Sequence, residues 1–375
     1  MTTNAKCKCQ CLLSTLLLLL VVPTAFGRQN QQSTERQESS KDAERIHIPN
    51  RSANPLFEGS QGKQKTEIHF DPATGLVTMK LLVQDPSGYF IPDIRRENFA
   101  VYENGDRQEI ETVEIEHPPV SLGLLLEFGG RVPGFNRLSS EQVSDAGRQL
   151  LEAVGHPDKI AIWKYNDKVE KIADFSQPHD VLESLFYSLG TPEVSETNLY
   201  DALIFTLDQM RKVSGRKALI LISSGIDTFS KASYQDALKA AGESDSPIHA
   251  ISLARSLRRD VELHDLGASM GRVDWDKADK DLQNIAMISG GRAYSPKNTI
   301  DLSPIYDDVM ENLKTRYVIT YRSSTKDMGS ARAVRVALIN PRTGAALEIV
   351  DASGKPVHAS VILQSTYSPN AASGK

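Results

Sequence analysis

The apolar positions of the chain follow two patterns in succession. Between residues 66 and 117, apolar and polar residues alternate in short runs, which is typical of strands with one face in solvent. Turn-forming residues separate the runs at 72–75 and 85–88, and the Asn104-Gly105 pair is typical of a tight hairpin. The alternation therefore predicts a small antiparallel β module over this stretch.

From residue 118 onward, continuous apolar runs replace the alternation. Such runs are typical of strands covered on both faces, and segments with helical spacing separate them. The predicted strands are 120–128, 159–165, 217–223, 247–254, 292–294 and 316–322, and the predicted helices are 140–154, 180–189, 199–213, 231–242, 277–289 and 302–314. This succession predicts an α/β fold with a mostly parallel sheet flanked by helices, which would bind partners beyond the carboxyl ends of its strands.

One apolar run stands apart near the N-terminus. Lys6 and Lys8 precede the apolar residues 12–22, and Ala25 and Gly27 supply the small residues at the −3 and −1 positions of a cleavage site. This layout predicts a signal peptide over residues 1–27 and export to the periplasm or the extracellular space. An uncleaved membrane anchor is the alternative, although the run is shorter than the roughly 20 residues that span a bilayer.

The remaining segments complete a five-part layout. Residues 28–64 are polar, so a flexible linker is predicted there. The β module then occupies 65–117, the α/β domain 118–325, and C-terminal strands with a disordered tail 326–375. All three cysteines precede residue 12, so the mature chain is predicted to hold neither a disulfide nor a thiolate metal site.

Charge and motifs narrow the possible functions. The net charge of −5 argues against a nucleic-acid partner, because binding to phosphates requires a basic surface. The sequence contains no His-Glu-x-x-His motif, and Leu221 stands where a hydrolase nucleophile turn around Ser223 would need glycine. The chain is therefore predicted to be non-enzymatic and to have no small-molecule substrate.

Three local features carry smaller predictions. Residues 274–281 contain four aspartates, which predicts an acidic helix N-terminus rather than a calcium loop. Residues 253–263, between a strand and a helix, carry three arginines, and a contact surface or a solvated loop fits them equally well. Trp163 and Phe205 lie in segments of buried type and are predicted to belong to the core.

Five segments, taken in order, resemble a known family. The segment LLVQDPSGYFIPDIRRENFAVYENGDRQEI at 81–110 resembles the β module that precedes von Willebrand factor A-like domains in a group of exported acidobacterial proteins. The other four are SLGLLLEFGGR at 121–131, TNLYDAL at 197–203, KALILISSGID at 217–227 and DLQNIAMISGGRAY at 281–294. The resemblance implies a von Willebrand factor A-like, Rossmann-type domain that follows the β module.

The resemblance also implies a metal-ion-dependent adhesion site at the carboxyl edge of the sheet. The family pattern is Asp-x-Ser-x-Ser after the first strand, a threonine in a second loop and an aspartate after a later strand, which together hold Mg²⁺. At the matching positions this chain has Glu127, Gly129, Arg131, Thr197 and Ser224, with Asp227 three residues further on. Only the threonine matches, so these six residues are predicted to be a degenerate adhesion site that binds a partner.

The substitutions disfavour a metal at this position. Mg²⁺ needs several oxygen ligands, and a guanidinium within about 4 Å would oppose it by several kcal/mol. No cofactor is therefore predicted. Two placements of the Arg131 side chain stay open: beside Glu127 or Asp227 in the place of the metal, where it would bind an acidic group of a partner, or in solvent.

The sequence as a whole predicts a binding module. It would contact a protein or cell-envelope partner through the loops at the carboxyl edge of the sheet. The alternative is a scaffolding component of an envelope assembly, in which the edge site is vestigial.

Overall fold

The computed structural model describes most of the chain between residues 45 and 369. The described residues are 45–48, 67–86, 88–129, 140–155, 157–189, 195–263, 273–296, 302–325, 329–363 and 365–369. The predicted signal peptide, most of the predicted linker, Arg131 and the last residues of the predicted tail lie outside these ranges. In the part of the chain that the structure describes, no helix has the length and apolar character needed to cross a membrane.

Strands and helices are numbered here in chain order. The strands are β1 Arg45–His47, β2 Ile68–Asp71, β3 Leu76–Gln84, β4 Phe99–Glu103, β5 Asp106–Gln108, β6 Ile110–Glu116, β7 Val120–Glu127, β8 Lys159–Tyr165, β9 Val169–Ala173, β10 Arg216–Ser223, β11 Ile248–Ser252, β12 Ala293–Tyr294, β13 Arg316–Arg322, β14 Arg332–Leu338, β15 Glu348–Val350, β16 Ser360–Ile362 and β17 Thr366–Tyr367. The α-helices are α1 Ser140–Val154, α2 His179–Ser188, α3 Leu199–Met210, α4 Tyr234–Glu243, α5 Ala254–Leu263, α6 Trp275–Ser289 and α7 Ser303–Lys314.

Strands β7 to β12 form one sheet in the order β12-β11-β10-β7-β8-β9. Neighbouring strands are parallel, except that β9 runs antiparallel to β8. This is a doubly wound order, in which the chain moves outward from a central strand first to one side and then to the other. The predicted fold class, an α/β sheet of mostly parallel strands flanked by helices, is confirmed.

Strand β10 shows why its sequence is a continuous apolar run. Ala218 and Ile220 belong to the hydrophobic cluster that the sheet forms with α1, α2, α5 and α7. Leu219 and Leu221 belong to the cluster on the opposite face, with α3, α4 and α6. Because both faces are covered by helices, the middle of the strand, residues 218–222, is apolar at every position.

The strand predicted over 316–322 does not belong to this sheet. It is β13, and it pairs antiparallel with β3 and β6 of the predicted β module. The C-terminal strand β14 pairs antiparallel with β4, and β16 pairs with β3. The prediction that these residues continue the α/β domain was therefore wrong, because an apolar strand after a helix can pair with any sheet that offers it an edge.

The β module is a sandwich built from both ends of the chain. One sheet has the order β16-β3-β13-β6, with β2 also paired to β3, and the other has the order β17-β14-β4-β5. Side chains of both sheets share one hydrophobic core, to which Val77, Phe99, Tyr317 and Val336 contribute. The α/β part is thus inserted between β6 and β13, whose residues Glu116 and Arg316 are paired in register.

Three local predictions also need correction. Arg45–His47, within the predicted linker, forms β1 and pairs with β15. Residues 253–263 are not a loop, since Ala254–Leu263 forms helix α5. Phe205 is 44% exposed and lies outside the core, whereas Trp163 is buried as predicted.

The acidic run at 274–281 begins a helix, as predicted. The side chain of Asp274 accepts a hydrogen bond from the Lys277 N–H and caps α6, which spans Trp275–Ser289. An acidic group at this position also interacts favourably with the helix dipole.

Candidate functional site

The candidate site lies where the central strands β7 and β10 end side by side. The two strands are parallel and in register as far as Leu126 and Ile222. Glu127 is the last residue of β7, and Ser223 the last residue of β10, with Ser224 directly after it. The sheet topology therefore brings Glu127 and Ser224 together at the carboxyl edge.

The carboxylate of Glu127 is surrounded by hydrogen-bond donors. The Ser224 N–H donates to Oε2 at 2.7 Å, and the Ser224 hydroxyl lies 2.9 Å from Oε1. The Ser223 hydroxyl donates to Oε2 at 2.9 Å, and the Tyr165 hydroxyl lies 3.1 Å from the same oxygen. Both carboxylate oxygens are thus occupied by groups of the protein itself.

Glu127 is buried, and this changes its acidity. The residue is only 2% exposed. Burial raises the pKa of its carboxyl to about 7, although the surrounding hydrogen bonds lower that pKa. Among the described residues, hydrogen-bond donors rather than cations surround it. A carboxyl without a counter-ion in a buried setting binds its proton more tightly than in water.

Gly225 follows the two serines and fixes the turn that leaves the strand. Its φ is +77°, a conformation that residues with a side chain rarely adopt. A Cβ added to Gly225 would lie 2.4 Å from the carbonyl oxygen of Ala278, so α6 also excludes a side chain there. Glycine at this position lets the chain turn sharply while Ser224 stays beneath Glu127.

Thr197 is held by the loop that follows β10. Its hydroxyl donates to the carbonyl oxygen of Ile226 at 3.0 Å, and its N–H donates to the hydroxyl of Thr228 at 2.8 Å. The Thr228 N–H returns a hydrogen bond to the Thr197 carbonyl at 2.8 Å. Thr197 is 1% exposed. In this structure, the threonine that matches the family pattern joins its own loop to the loop after β10.

Asp227 joins the same loop to the start of helix α3. Its carboxylate accepts hydrogen bonds from the Tyr200 N–H at 3.2 Å and from the hydroxyl of Ser230 at 2.5 Å. Asp201 acts from the helix side, accepting from the N–H groups of Lys231 and Ala232, both at 2.9 Å. Two aspartates therefore hold the loop over residues 226–232, called the edge loop below, against the start of α3.

The edge loop presents one large apolar side chain to solvent. Phe229 is 72% exposed, although both of its neighbours are held by hydrogen bonds, Thr228 to Thr197 and Ser230 to Asp201 at the start of α3. The sequence reasoning missed it. The signal available was an aromatic residue within a polar stretch directly after a buried strand.

The oxygen atoms of the described site residues are not arranged to coordinate a divalent cation. The oxygens of Glu127 accept from hydroxyls and an N–H, the hydroxyl of Thr197 donates to a carbonyl, and Asp227 binds the start of α3. No group of three or more His, Cys, Asp or Glu side chains suitable for a metal occurs among the residues that the structure describes. Gly129 is buried and offers no side chain, and Arg131 lies outside the described residues.

Comparisons by sequence give no family for the chain. No family model matches it, and no curated protein matches it.

The search of solved structures gives distant likenesses. Proximal thread matrix protein 1 from the mussel byssus is 12% identical, with 57% of this chain and 51% of that chain covered and a TM-score of 0.40. An aerotolerance-related membrane protein from Bacteroides fragilis, carrying multiple mutations to serines, is 12% identical, with 51% and 98% covered and a TM-score of 0.35. The vWF domain of the type V pili tip protein Mfa5 from Porphyromonas gingivalis is 18% identical, with 30% and 40% covered and a TM-score of 0.27.

These likenesses are weak in both sequence and superposition. The chain spans about half the length of the mussel protein that it matches. Each identity is below 25% and each TM-score is below 0.5. The assignment of the α/β fold class therefore rests on the strand order and the helix layers described above.

Proposed function

We propose that the chain is an exported, non-enzymatic binding module that contacts a protein partner through the carboxyl edge of its α/β sheet. The observation that carries the proposal is Phe229, which is 72% exposed on a loop fixed by hydrogen bonds. Exposed aromatic side chains on rigid supports are typical anchors of protein interfaces, because little conformational entropy is lost when they bind.

In this proposal five of the six predicted site residues take three different roles. Glu127, Thr197 and Ser224 are each at most 2% exposed, so they support the edge from beneath. Asp227 holds the edge loop to α3. Arg131 supplies a positive charge two residues beyond the buried Gly129 and would bind an acidic group of the partner directly.

The proposal also assigns no metal to the edge. Hydrogen bonds among Glu127, Ser223, Ser224 and Tyr165 take the place that a dication would have in coordinating the carboxylate. Binding should therefore continue in the presence of a chelator, unlike binding at a site that needs Mg²⁺ to bridge to its partner.

Partner capture from an envelope extract tests the proposal with a matched pair of variants. Phe229→Ser removes the edge anchor, whereas Phe205→Ser removes a second exposed phenylalanine from the outer side of α3. We expect wild type and Phe205→Ser to retain the same proteins with EDTA present, and Phe229→Ser to lose them. Loss of an interface anchor costs about 2 kcal/mol or more, which weakens binding roughly thirtyfold.

The outcome also distinguishes the proposed edge binding from the scaffolding alternative. If the same proteins remain bound after Phe229→Ser and Arg131→Ser, then the edge does not bind the partner. The proposal would then be wrong, and contacts elsewhere on the molecule would explain the capture.

A further inference from the structure

Strand β6 is the longest strand at an edge of the sandwich. Its sheet has the order β16-β3-β13-β6, so β6 pairs with β13 on one side and with no described strand on the other. It spans 7 residues, whereas the other terminal strands β5, β16 and β17 span 3, 3 and 2. An open edge of this length can pair with an extended segment of another chain.

The hydrogen-bonding pattern shows which residues of β6 have free backbone groups. In an antiparallel sheet, the N–H and C=O of one residue point to the same neighbouring strand, and those of the next residue point to the other side. Lys80 on β3 points toward β2, because its N–H donates to the residue directly before β2 at 2.9 Å. Its partner on β13, Val318, therefore points toward Glu114 of β6. The backbone groups of Val113 and Ile115, on either side of Glu114, thus point to the free edge.

The free groups lie in the middle of β6 and toward its end. At the start of the strand, the carbonyl oxygen of Glu111 accepts a hydrogen bond from the Arg96 guanidinium at 3.3 Å. No loop in the described ranges donates to or accepts from the backbone of Val113 or Ile115. Each of these two residues therefore offers one N–H donor and one C=O acceptor to an added strand.

The two faces of this edge differ in chemistry. Val113 and Ile115 lie opposite Ile319 and Tyr317, which point into the core of the sandwich. Ile115 is nevertheless 39% exposed, since β6 has no neighbour on its outer side. Glu114 points to the opposite face and is exposed. An added strand would therefore place apolar side chains beside Ile115 and a different kind of side chain beside Glu114.

Glu114 carries an uncompensated charge at the centre of this edge. The other carboxylates of β6 have cations beside them, with Glu111 at 3.0 Å from Arg322 and Glu116 at 3.0 Å from Arg316. Within the described part of the chain, Glu114 forms no ion pair. Opposite charges directly across from each other stabilise paired strands and like charges destabilise them, so a basic side chain fits best opposite Glu114.

A second copy of β6 is a poor occupant of this edge. Antiparallel pairing of Val113 of one copy with Ile115 of the other would place the two Glu114 side chains directly opposite each other. Charged residues on an edge strand disfavour such self-pairing. The charge of the edge therefore favours a different chain.

We propose that β6 binds, by strand addition, an extended segment of another protein in which apolar residues alternate with lysine or arginine. Its backbone hydrogen-bonds to Val113 and Ile115, its apolar side chains cover Ile115, and one basic side chain lies opposite Glu114. This surface belongs to the sandwich and is distinct from the edge loop, so the loss of binding at one surface leaves binding at the other unchanged.

A labelled synthetic peptide of alternating valine and lysine tests the proposal by fluorescence anisotropy with the full chain. We expect saturable binding, and weaker binding of a peptide in which glutamate replaces lysine. Hydrogen exchange of the wild-type chain with and without the valine–lysine peptide locates the contact. The peptide should slow exchange over residues 110–116, because the amides of Val113 and Ile115 become hydrogen-bonded.

A matched pair of variants tests the charge. Glu114→Lys should weaken binding of the valine–lysine peptide about threefold or more and strengthen binding of the valine–glutamate peptide, because an attractive pair becomes a repulsive one. Glu243→Lys changes the net charge equally at an exposed position at the end of α4, so it should leave both affinities unchanged.

Three results would overturn the proposal. One is the absence of saturable binding of the valine–lysine peptide to the wild-type chain. Another is binding that leaves exchange over residues 110–116 unchanged, since the peptide would then contact a different surface. The third is equal affinity of Glu114→Lys and Glu243→Lys for the valine–lysine peptide, which would show that Glu114 does not face the bound strand.

Discussion

Glu127 is a buried acid whose neighbours are hydroxyl groups rather than cations. Ser223, Ser224 and Tyr165 supply donors to its carboxylate, yet burial still raises its pKa to about 7. The folded state therefore holds this proton more tightly than the unfolded chain, whose glutamates titrate near 4.5. By linkage, the group's contribution to stability is largest below pH 4.5 and is lost as the pH rises toward 7.

Replacing Glu127 with glutamine should remove this pH dependence. Glu127→Gln keeps the shape and an acceptor oxygen but carries no charge, so its stability relative to wild type should rise by about 2–3 kcal/mol between pH 5 and pH 8. Urea unfolding of both proteins at the two pH values measures this difference. A difference that stays constant with pH would show that the carboxyl is ionised throughout.

Arg292 lies at the centre of a second buried polar cluster, directly before β12. Its guanidinium lies 2.8–2.9 Å from both carboxylate oxygens of Asp308 and 2.7 Å from Asn312, and it also donates to the carbonyl of Gly88 in the sandwich. Tyr294 donates to Asp308 at 2.6 Å. The cluster connects the two parts of the molecule through one side chain.

Removing this arginine should be costly for stability. Arg292→Met leaves Asp308 buried without its cation, which typically costs about 3–5 kcal/mol. The double variant Arg292→Met with Asp308→Asn should lose less than the two single variants added together, because neither charge is then left alone. Denaturant unfolding of the four proteins gives the coupling energy, and strictly additive losses would contradict a direct interaction.

At the scale of elements, the edge loop is fixed by side chains that are distant in sequence. Asp201 on α3 accepts hydrogen bonds from the N–H groups of Lys231 and Ala232, about thirty residues away. Such contacts keep Phe229 in one position on the surface. In the proposed function, these hydrogen bonds rather than a bound ion prepare the edge for a partner.

Breaking these hydrogen bonds should loosen the edge loop without substituting Phe229 itself. Asp201→Ala should speed hydrogen exchange at the amides of Lys231 and Ala232, lower stability by about 1–3 kcal/mol, and weaken partner capture. Asp351→Ala is a matched control, since Asp351 also accepts from two backbone N–H groups, in a turn of the sandwich. Unchanged exchange in the edge loop of Asp201→Ala would contradict the role of these hydrogen bonds in holding the loop.

The apolar patterns predicted where the strands lie in the sequence better than which strands pair with one another. The runs over 120–128 and 217–223 lie in the parallel sheet as predicted, because only strands covered on both faces need such runs. The run over 316–322 was assigned to the same sheet, yet Tyr317, Ile319 and Tyr321 alone are buried, in alternation. Alternation of this kind belongs to a strand with one face in a core, and the large side chains of Tyr317, Ile319 and Tyr321 at every second position were the signal for it.

The sequence predicted which residues meet at the carboxyl edge, but not the hydrogen bonds that they make there. Strand order placed Glu127 and Ser224 together, since adjacent parallel strands end at one edge. The exposure of Phe229 and the capping by Asp227 depend on hydrogen bonds across about thirty residues, which no local pattern encodes.

At the scale of the whole molecule, the α/β part is an insertion in a sandwich. The chain leaves the sandwich after β6 and returns at β13, which is the neighbouring strand. The sandwich core therefore closes only when the C-terminal strands have been made. Among them, β14 brings Val334 and Val336 to the core, and Arg332 pairs with the buried Glu103.

Truncation should separate the two parts. A chain ending at residue 325 lacks β14 and leaves Glu103 without its cation, so the sandwich should unfold while the α/β part keeps its own two hydrophobic clusters. Limited proteolysis should then release a stable fragment that begins near residue 118. A chain ending at residue 369 is the control, and equal resistance of both chains would show that the sandwich does not need its C-terminal strands.

The central claim concerns the carboxyl edge, where hydrogen bonds within the protein occupy the oxygens that would otherwise hold a dication. Thermal unfolding of the full chain with Mg²⁺, with Mn²⁺ and with EDTA tests it most directly, because any ligand of the folded state raises the melting temperature. The predicted result is the same melting temperature in all three conditions, for the wild type and for Glu127→Gln alike. A saturable rise of several degrees with either ion, lost in Glu127→Gln, would contradict it.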